Sequence, residues 1–86
     1  METPPTPQDT ETLDAIMGRR LIAIRRAAQL EPAELSSLSG IPACELEDYE
    51  SGTIPLPLTR IRSLAAALDT HPISLLLRLL FPLSSH

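Results

Sequence analysis

Four carboxylates lie within a short stretch of the chain that contains neither Arg nor Lys. The stretch runs from Ile41 to Gly52 and reads IPACELEDYESG. Its acids are Glu45, Glu47, Asp48 and Glu50. Carboxylates can accept a hydrogen bond from an amino group such as that of cytosine, but they repel phosphates within a Debye length of roughly 8–10 Å. We therefore expect this surface to suit a basic partner, or a nucleic acid whose phosphates are held by other residues.

The other residues of the predicted domain and C-terminus, 13–86, carry charge of the opposite sign. The whole chain has 11 acids and 7 bases, all of them Arg, and its net charge is −4. Residues 1–12 hold three acids, so 13–86 hold eight acids against seven Arg, a net charge of −1. Because 42–50 alone contribute −4, the other residues of 13–86 sum to +3 (−1 + 4). This positive charge is concentrated in Arg19, Arg20, Arg25 and Arg26.

No group of residues in the sequence forms a catalytic or metal-binding pattern. Cys44 is the single cysteine, so an internal disulfide is impossible, as is typical of a reducing cytoplasm. No neighbouring base would activate its thiol as a nucleophile. His71 precedes Pro72, where it can cap a helix, and His86 ends the chain, whereas a metal site needs several ligands at regular spacing. We therefore expect that the protein is not an enzyme and that it binds neither a metal ion nor a cofactor.

The first element that must position these residues is a helix near the start of the chain. An apolar stripe with helical spacing predicts a helix over 13–28. The stripe consists of Leu13, Ile16, Met17, Leu21, Ile24 and Ala28. Thr10 or Thr12 can cap its first turn. Because Gly18 weakens a helix interior, a helix that begins closer to Arg19 is the alternative.

Proline and glycine divide the remainder into four short helices. Pro suits the first helical position, where its missing N–H has no intrahelical partner, and Gly suits the position after a helix. The predicted helices span 32–39, 42–50, 57–68 and 72–81, headed by Pro32, Pro42, Pro57 and Pro72 and ended in two cases by Gly40 and Gly52. The side chains expected to face the core are Leu35, Leu38, Leu46, Tyr49, Leu58, Ile61, Leu64, Ala65 and Leu68. Together with the first helix, they predict an all-α fold.

The chain ends are expected to lie outside this domain. Residues 1–12 are acidic and Pro-rich without apolar periodicity, which predicts a disordered tail, and 82–86 form a short C-terminal tail. The N-terminal residues are unlike a signal peptide. The longest apolar run, Ile73 to Leu83, has 11 residues and includes Arg78, which is too short to cross a bilayer. We expect one cytoplasmic domain over 13–81 with no membrane partner.

The second and third predicted helices, joined by SGI, form a helix-turn-helix pattern. The stretch GRRLIAIRRAAQLEPAELSSLSGIPACELEDYESG, followed by LTRIRSLAAAL, resembles the Cro/cI-type, phage-repressor-like (XRE) family over about 18–80. The resemblance implies a five-helix lambda-repressor-like DNA-binding domain that binds operator DNA, usually as a dimer. In that family the third helix enters the major groove. The matching positions on this chain are Pro42, Ala43, Cys44, Glu47 and Asp48.

The resemblance also assigns roles to the arginines. Arg25 and Glu50 match an ion pair that ties the first helix to the end of the third. Glu45 is expected to face solvent or the second helix. The bases nearest the DNA-side edge are expected to hold phosphates, and they are Arg19, Arg20, Arg26 and Arg60. Arg60 and Arg62 flank Ile61, so both can point outward.

The last helix has more apolar surface than a small core can cover. Leu75 and Leu79 form one stripe, and a second stripe is made of Ile73, Leu76, Leu77 and Leu80. An exposed apolar patch of a few hundred Å² marks an interaction site, and pairing about a two-fold axis would bury it. The resemblance implies the same contact, so the second stripe is the expected interface of a homodimer.

Two hypotheses for function remain. The first is a small transcriptional regulator that binds DNA as a homodimer with an atypical acidic recognition helix. The second is a degenerate helix-turn-helix that serves as a protein–protein interaction module, such as an adaptor, antirepressor or co-regulator, and does not bind DNA by itself. In the second case another regulatory protein docks on the acidic third helix.

Overall fold

The computed structural model describes residues 12–81, which form five α-helices and no strand. The helices are α1 (Leu13–Ala27), α2 (Pro32–Ser39), α3 (Ala43–Ser51), α4 (Leu58–Ala67) and α5 (Pro72–Leu80). The predicted all-α class and the number of helices are confirmed. The tails predicted over 1–12 and 82–86 lie outside the described residues, except for Thr12.

The first helix begins at Leu13, so the alternative start near Arg19 is wrong. The Thr12 side chain caps α1 by accepting a hydrogen bond from the Ala15 N–H at 3.1 Å. Gly18 is buried inside α1, where a Cβ would lie 2.5 Å from the carbonyl oxygens of both Tyr49 and Glu50. The glycine that weakens the helix in isolation therefore permits α1 to cross the end of α3 in close contact.

The turns between helices follow the predicted proline and glycine positions. Gly40 and Gly52 adopt left-handed backbones with φ of +77° and +79° and end α2 and α3, a conformation that glycine adopts without steric cost. Pro32 is the first residue of α2, as predicted. Pro42 and Pro57 each stand one residue before their helix, as the N-cap, so these two predicted starts were one residue early.

The core lies where α1 and α5 pack against the helix-turn-helix and α4. Its buried hydrophobic members are Met17, Leu21, Ile24, Leu35, Ile41, Leu46, Tyr49, Ile61, Leu64, Ala65, Leu75 and Leu79. Leu35, Ile41 and Leu46 fill the angle between α2 and α3. Aliphatic side chains from all five helices thus hold α3 in place while leaving its outer face uncovered.

Three leucines expected in the core are exposed. Leu13, Leu38 and Leu58 keep 56%, 59% and 62% of their surface accessible. Leu13 and Leu58 are the first residues of their helices, and Leu38 lies in the last turn of α2. Periodicity gives the face of a helix but not how far along the helix the core extends, so all three were wrongly assigned. Leu68 is half-buried against the core.

No helix within 12–81 is both long enough and apolar enough to cross a membrane.

Candidate nucleic-acid interface

The outer face of α3 presents the residues expected to contact a partner. Pro42, Ala43, Cys44 and Glu47 are exposed, and Asp48 is half-buried. Positions 44, 47 and 48 lie on one side of the helix by the i, i+3 and i+4 rule. That side therefore offers a thiol and two carboxylates, and α3 supplies no cation to it.

Glu50 belongs to a buried ion pair and does not contribute to this face. Arg25 Nε donates to Glu50 Oε2 at 2.7 Å, and Arg25 Nη2 donates to Glu50 Oε1 at 3.4 Å. Arg25 Nη1 donates to the carbonyl of Leu30 at 3.0 Å. Arg25 and Glu50 are only 7% and 9% exposed. The pair that the family resemblance implies is present in the structure, and it joins α1, the turn after it and the end of α3.

Glu45 is paired with Arg60 of α4, which corrects the expectation that it faces solvent or α2. Arg60 Nε donates to Glu45 Oε2 at 2.6 Å, and Arg60 Nη2 donates to Glu45 Oε1 at 3.0 Å. The Tyr49 hydroxyl also donates to Glu45 Oε2. These three hydrogen bonds tie the first turn of α3 to α4 and to a buried aromatic side chain.

The titration of this cluster follows from its contacts. The hydrogen bond from Arg60, together with that from Tyr49, lowers the pKa of Glu45 below its ordinary value. Burial, and to a smaller extent the hydrogen bond to Glu45, raises the pKa of Tyr49. The same carboxylate raises the pKa of Arg60. Glu45 and Arg60 are therefore both charged at neutral pH and neutralise each other.

The two ion pairs halve the charge that α3 presents to a partner. Among residues 12–81, Glu47 and Asp48 make no ion pair. The net charge of α3 toward a partner is then −2, compared with the −4 that the sequence suggests. The sequence did not predict the pairing of Glu45 with Arg60, because the two residues are 15 positions apart. Sequence spacing carries no information on the angle between α3 and α4.

The arginines expected to hold phosphates have different surroundings. Arg19 and Arg26 are exposed on α1. Arg20 Nη1 donates to the carbonyl of Leu79 at 2.9 Å, so this side chain bonds a carbonyl at the end of α5. Arg60 is bound to Glu45, as described above. Arg62 is exposed on α4 and makes no ion pair within the described part of the chain.

The N-terminus of α2 is closed by its own carboxylates. Helix N-termini offer free N–H groups that bind phosphate. Here Glu31 and Glu34 form a capping box, in which the Glu31 N–H donates to Glu34 Oε1 at 2.7 Å. Two carboxylates at this end disfavour an approaching phosphate. The N-terminus of α2 is therefore a poor site for a phosphate.

The last helix presents an uncovered apolar face. Ile73, Leu77 and Phe81 are 58%, 49% and 59% exposed. The i, i+4 spacing of Ile73 and Leu77 places them on one side of α5, and Phe81 follows the helix as its C-cap. Leu76 and Leu80 beside them are only partly buried against the core. Leu75 and Leu79 are fully buried on the opposite side. Phe81, which lay inside the predicted helix 72–81 but not in its expected interface stripe, is the residue that follows α5.

Comparisons with known proteins agree with this architecture. A family model described as a helix-turn-helix domain matches residues 16–79. No curated protein matches the sequence. The chain is similar to the crystal structure of the restriction-modification controller protein C.AhdI from Aeromonas hydrophila, with 34% identity and a TM-score of 0.66. The match covers 71% of this chain and 92% of that one. The resemblance to Cro/cI-type proteins is thus confirmed, and the chain belongs to the helix-turn-helix domain family.

Proposed function

We propose that this protein regulates transcription by binding a two-fold symmetric DNA site as a homodimer, with the outer face of α3 in the major groove. The observation that carries the proposal is that α3 is fixed on the core with its outer face exposed. The Arg25–Glu50 pair and the close crossing at Gly18 fix α3 on the core. Its outer face is left uncovered, and a groove-binding helix needs such a face. The similarity to a controller protein supports the same role.

Internal neutralisation makes this role compatible with the acidic sequence of α3. Glu45 and Glu50 are paired with arginines, so only Glu47 and Asp48 bring negative charge to the groove. Either carboxylate can accept a hydrogen bond from a cytosine amino group. The proposed base contacts are therefore Pro42, Ala43, Cys44, Glu47 and Asp48.

The proposed phosphate contacts are few. They are Arg19, Arg20, Arg26 and Arg60. Each phosphate neutralised contributes about −0.9 to the slope of log affinity against log salt. Binding by one protomer should therefore have a shallow salt dependence, and useful affinity at physiological salt requires two protomers on one site.

The proposed dimer interface is the apolar face of α5. It comprises Ile73, Leu76, Leu77 and Leu80, together with Phe81. Burying an exposed aliphatic or aromatic side chain contributes about 1.5–3 kcal/mol, so the three half-exposed side chains on each of two copies contribute roughly 6 kcal/mol in gross terms. Association itself costs an estimated 4 kcal/mol or more. We therefore expect a dimer that dissociates on dilution.

Footprinting on fragments of the source genome at low salt tests the proposal. We expect a protected site with two half-sites about one helical turn apart, roughly 34–36 Å. Sedimentation over a range of concentrations should show monomer and dimer in exchange. Failure to bind any duplex at low salt would exclude the proposed DNA-binding function.

A second candidate function is a protein-interaction module that docks on a basic partner. It is favoured by the absence of any cation on α3 itself, since Glu47 and Asp48 would suit a surface rich in Arg or Lys. The variant Glu47→Lys with Asp48→Lys separates the two functions. If the module hypothesis is correct, this variant abolishes a specific protein contact, and the wild-type chain does not bind DNA.

A further inference from the structure

The Arg60 side chain is held at two of its three nitrogens. Nε and Nη2 both bond Glu45, at 2.6 and 3.0 Å. Nη1 takes no part in the hydrogen bonds to Glu45, and the Arg60 side chain keeps 34% of its surface accessible. A guanidinium carries five N–H donors in a rigid plane. Fixing one edge of that plane therefore also fixes the direction of the donors that remain.

The carboxylate that holds Arg60 is itself anchored. The Tyr49 hydroxyl donates to the same Glu45 oxygen that binds Arg60 Nε. Tyr49 is only 4% exposed and belongs to the core. Glu45 is therefore supported from the core, and the chain of contacts runs from Tyr49 through Glu45 to Arg60.

We propose that Glu45 is a positioning residue for DNA binding, which holds Arg60 so that its Nη1 donors meet a backbone phosphate. This inference rests on the proposed DNA-binding function. It gives Glu45 a role opposite to that expected from its charge. From its charge alone, a carboxylate near the groove should weaken DNA binding, so its removal should strengthen binding. If Glu45 positions Arg60, removal of Glu45 instead weakens binding.

Two effects of opposite sign decide the outcome of removing Glu45. Removing the carboxylate relieves repulsion toward phosphates, which is worth less than about twofold in affinity for a screened, exposed charge. Removing it also frees the long Arg60 side chain, which must then be ordered on binding at a cost of about two- to tenfold. The ordering effect is the larger, so Glu45→Ala should bind DNA more weakly. Glu47, which has no ion-pair partner within 12–81, provides the matched control.

The test is a double-mutant cycle on the chain of residues 1–86 with a fluorescein-labelled random-sequence duplex at about 0.15 M salt, where the Debye length is roughly 8 Å. We expect Glu45→Ala to weaken binding about two- to tenfold and Glu47→Ala to strengthen it slightly. Glu45→Ala should have no weakening effect once Arg60→Ala is present. Glu45→Gln, which keeps one acceptor oxygen, should fall between wild type and Glu45→Ala and serves if the alanine variant does not fold.

The outcomes separate the inference from the function on which it rests. If Glu45→Ala strengthens binding as Glu47→Ala does, Glu45 is an ordinary repulsive charge and the inference is wrong, while the proposed function stands. If Glu45→Ala weakens binding equally in the Arg60→Ala background, Glu45 acts on the fold of α3 and not through Arg60, which also overturns the inference. If the wild-type chain binds no duplex, both proposals fail.

Discussion

Replacement of Gly18 by alanine should destabilise the protein, although the sequence alone predicts the reverse. In an exposed helix interior the change from glycine to alanine gains about 0.8–1.0 kcal/mol. In this structure the added Cβ would lie 2.5 Å from two carbonyl oxygens of α3. Ordinary van der Waals contact begins at 3.4 Å, so α1 and α3 must separate by up to 0.9 Å (3.4 − 2.5).

The magnitude follows from what must move. Both oxygens belong to the backbone of α3, so neither can rotate aside as a side chain would. Inserting a methyl group into a packed interior typically costs about 1–3 kcal/mol, and rigid backbone neighbours place this case at the upper end. After subtraction of the helix-propensity gain, we expect a net loss of about 1–2 kcal/mol. For a domain of this size that corresponds to a fall in Tm of roughly 4–16 °C.

Thermal unfolding followed by circular dichroism measures this change. Ala23→Gly is the matched control, because Ala23 is exposed on the same helix and its replacement should cost only the helix-propensity difference of about 1 kcal/mol. A Tm for Gly18→Ala above that of the wild type would refute the argument that α1 and α3 are in close contact there.

Three further predictions concern the buried ion pair and the two exposed faces. Glu50→Gln leaves a buried guanidinium without its counter-charge and should lower the free energy of unfolding by about 3–5 kcal/mol in urea titrations; a loss below 1 kcal/mol would mean that the pair does not clamp α3. Leu77→Glu should leave the folded monomer intact, because this side chain is half-exposed, and should prevent dimerisation in sedimentation experiments; an unchanged dimer would place the interface elsewhere. Glu47→Lys with Asp48→Lys should raise the affinity for random-sequence DNA and steepen its salt dependence; a lower affinity would show that this face does not approach phosphates.

The helices were predictable because their ends are marked by local chemistry. Pro32 and Pro72 begin α2 and α5, whereas Gly40 and Gly52 end α2 and α3 with left-handed backbones. Each of these preferences operates within a few residues. Gly18 was misinterpreted because its role in packing depends on the approach of α3, which lies about 30 residues further along the chain near Glu50. A local pattern cannot distinguish a glycine that weakens a helix from one that permits close packing.

The candidate site was predictable in position but not in charge. The residues on the outer face of α3 follow from helical spacing and the family resemblance. The partner of Glu45 depends on the orientation of α4 relative to α3, which is set by the buried side chains between them and not by spacing along the chain. The pairing with Arg60 matters most, because it neutralises a carboxylate near the groove and holds a cation that is expected to contact phosphate.

The central claim is that this acidic helix-turn-helix binds DNA through the outer face of α3. The most direct test is the footprint of residues 1–86 on fragments of the source genome, compared with that of the Glu47→Ala variant. We predict one protected, two-fold symmetric site for the wild type and altered protection within each half-site for the variant. Equal and unselective protection of all fragments by both proteins, or no protection by either, would contradict the claim.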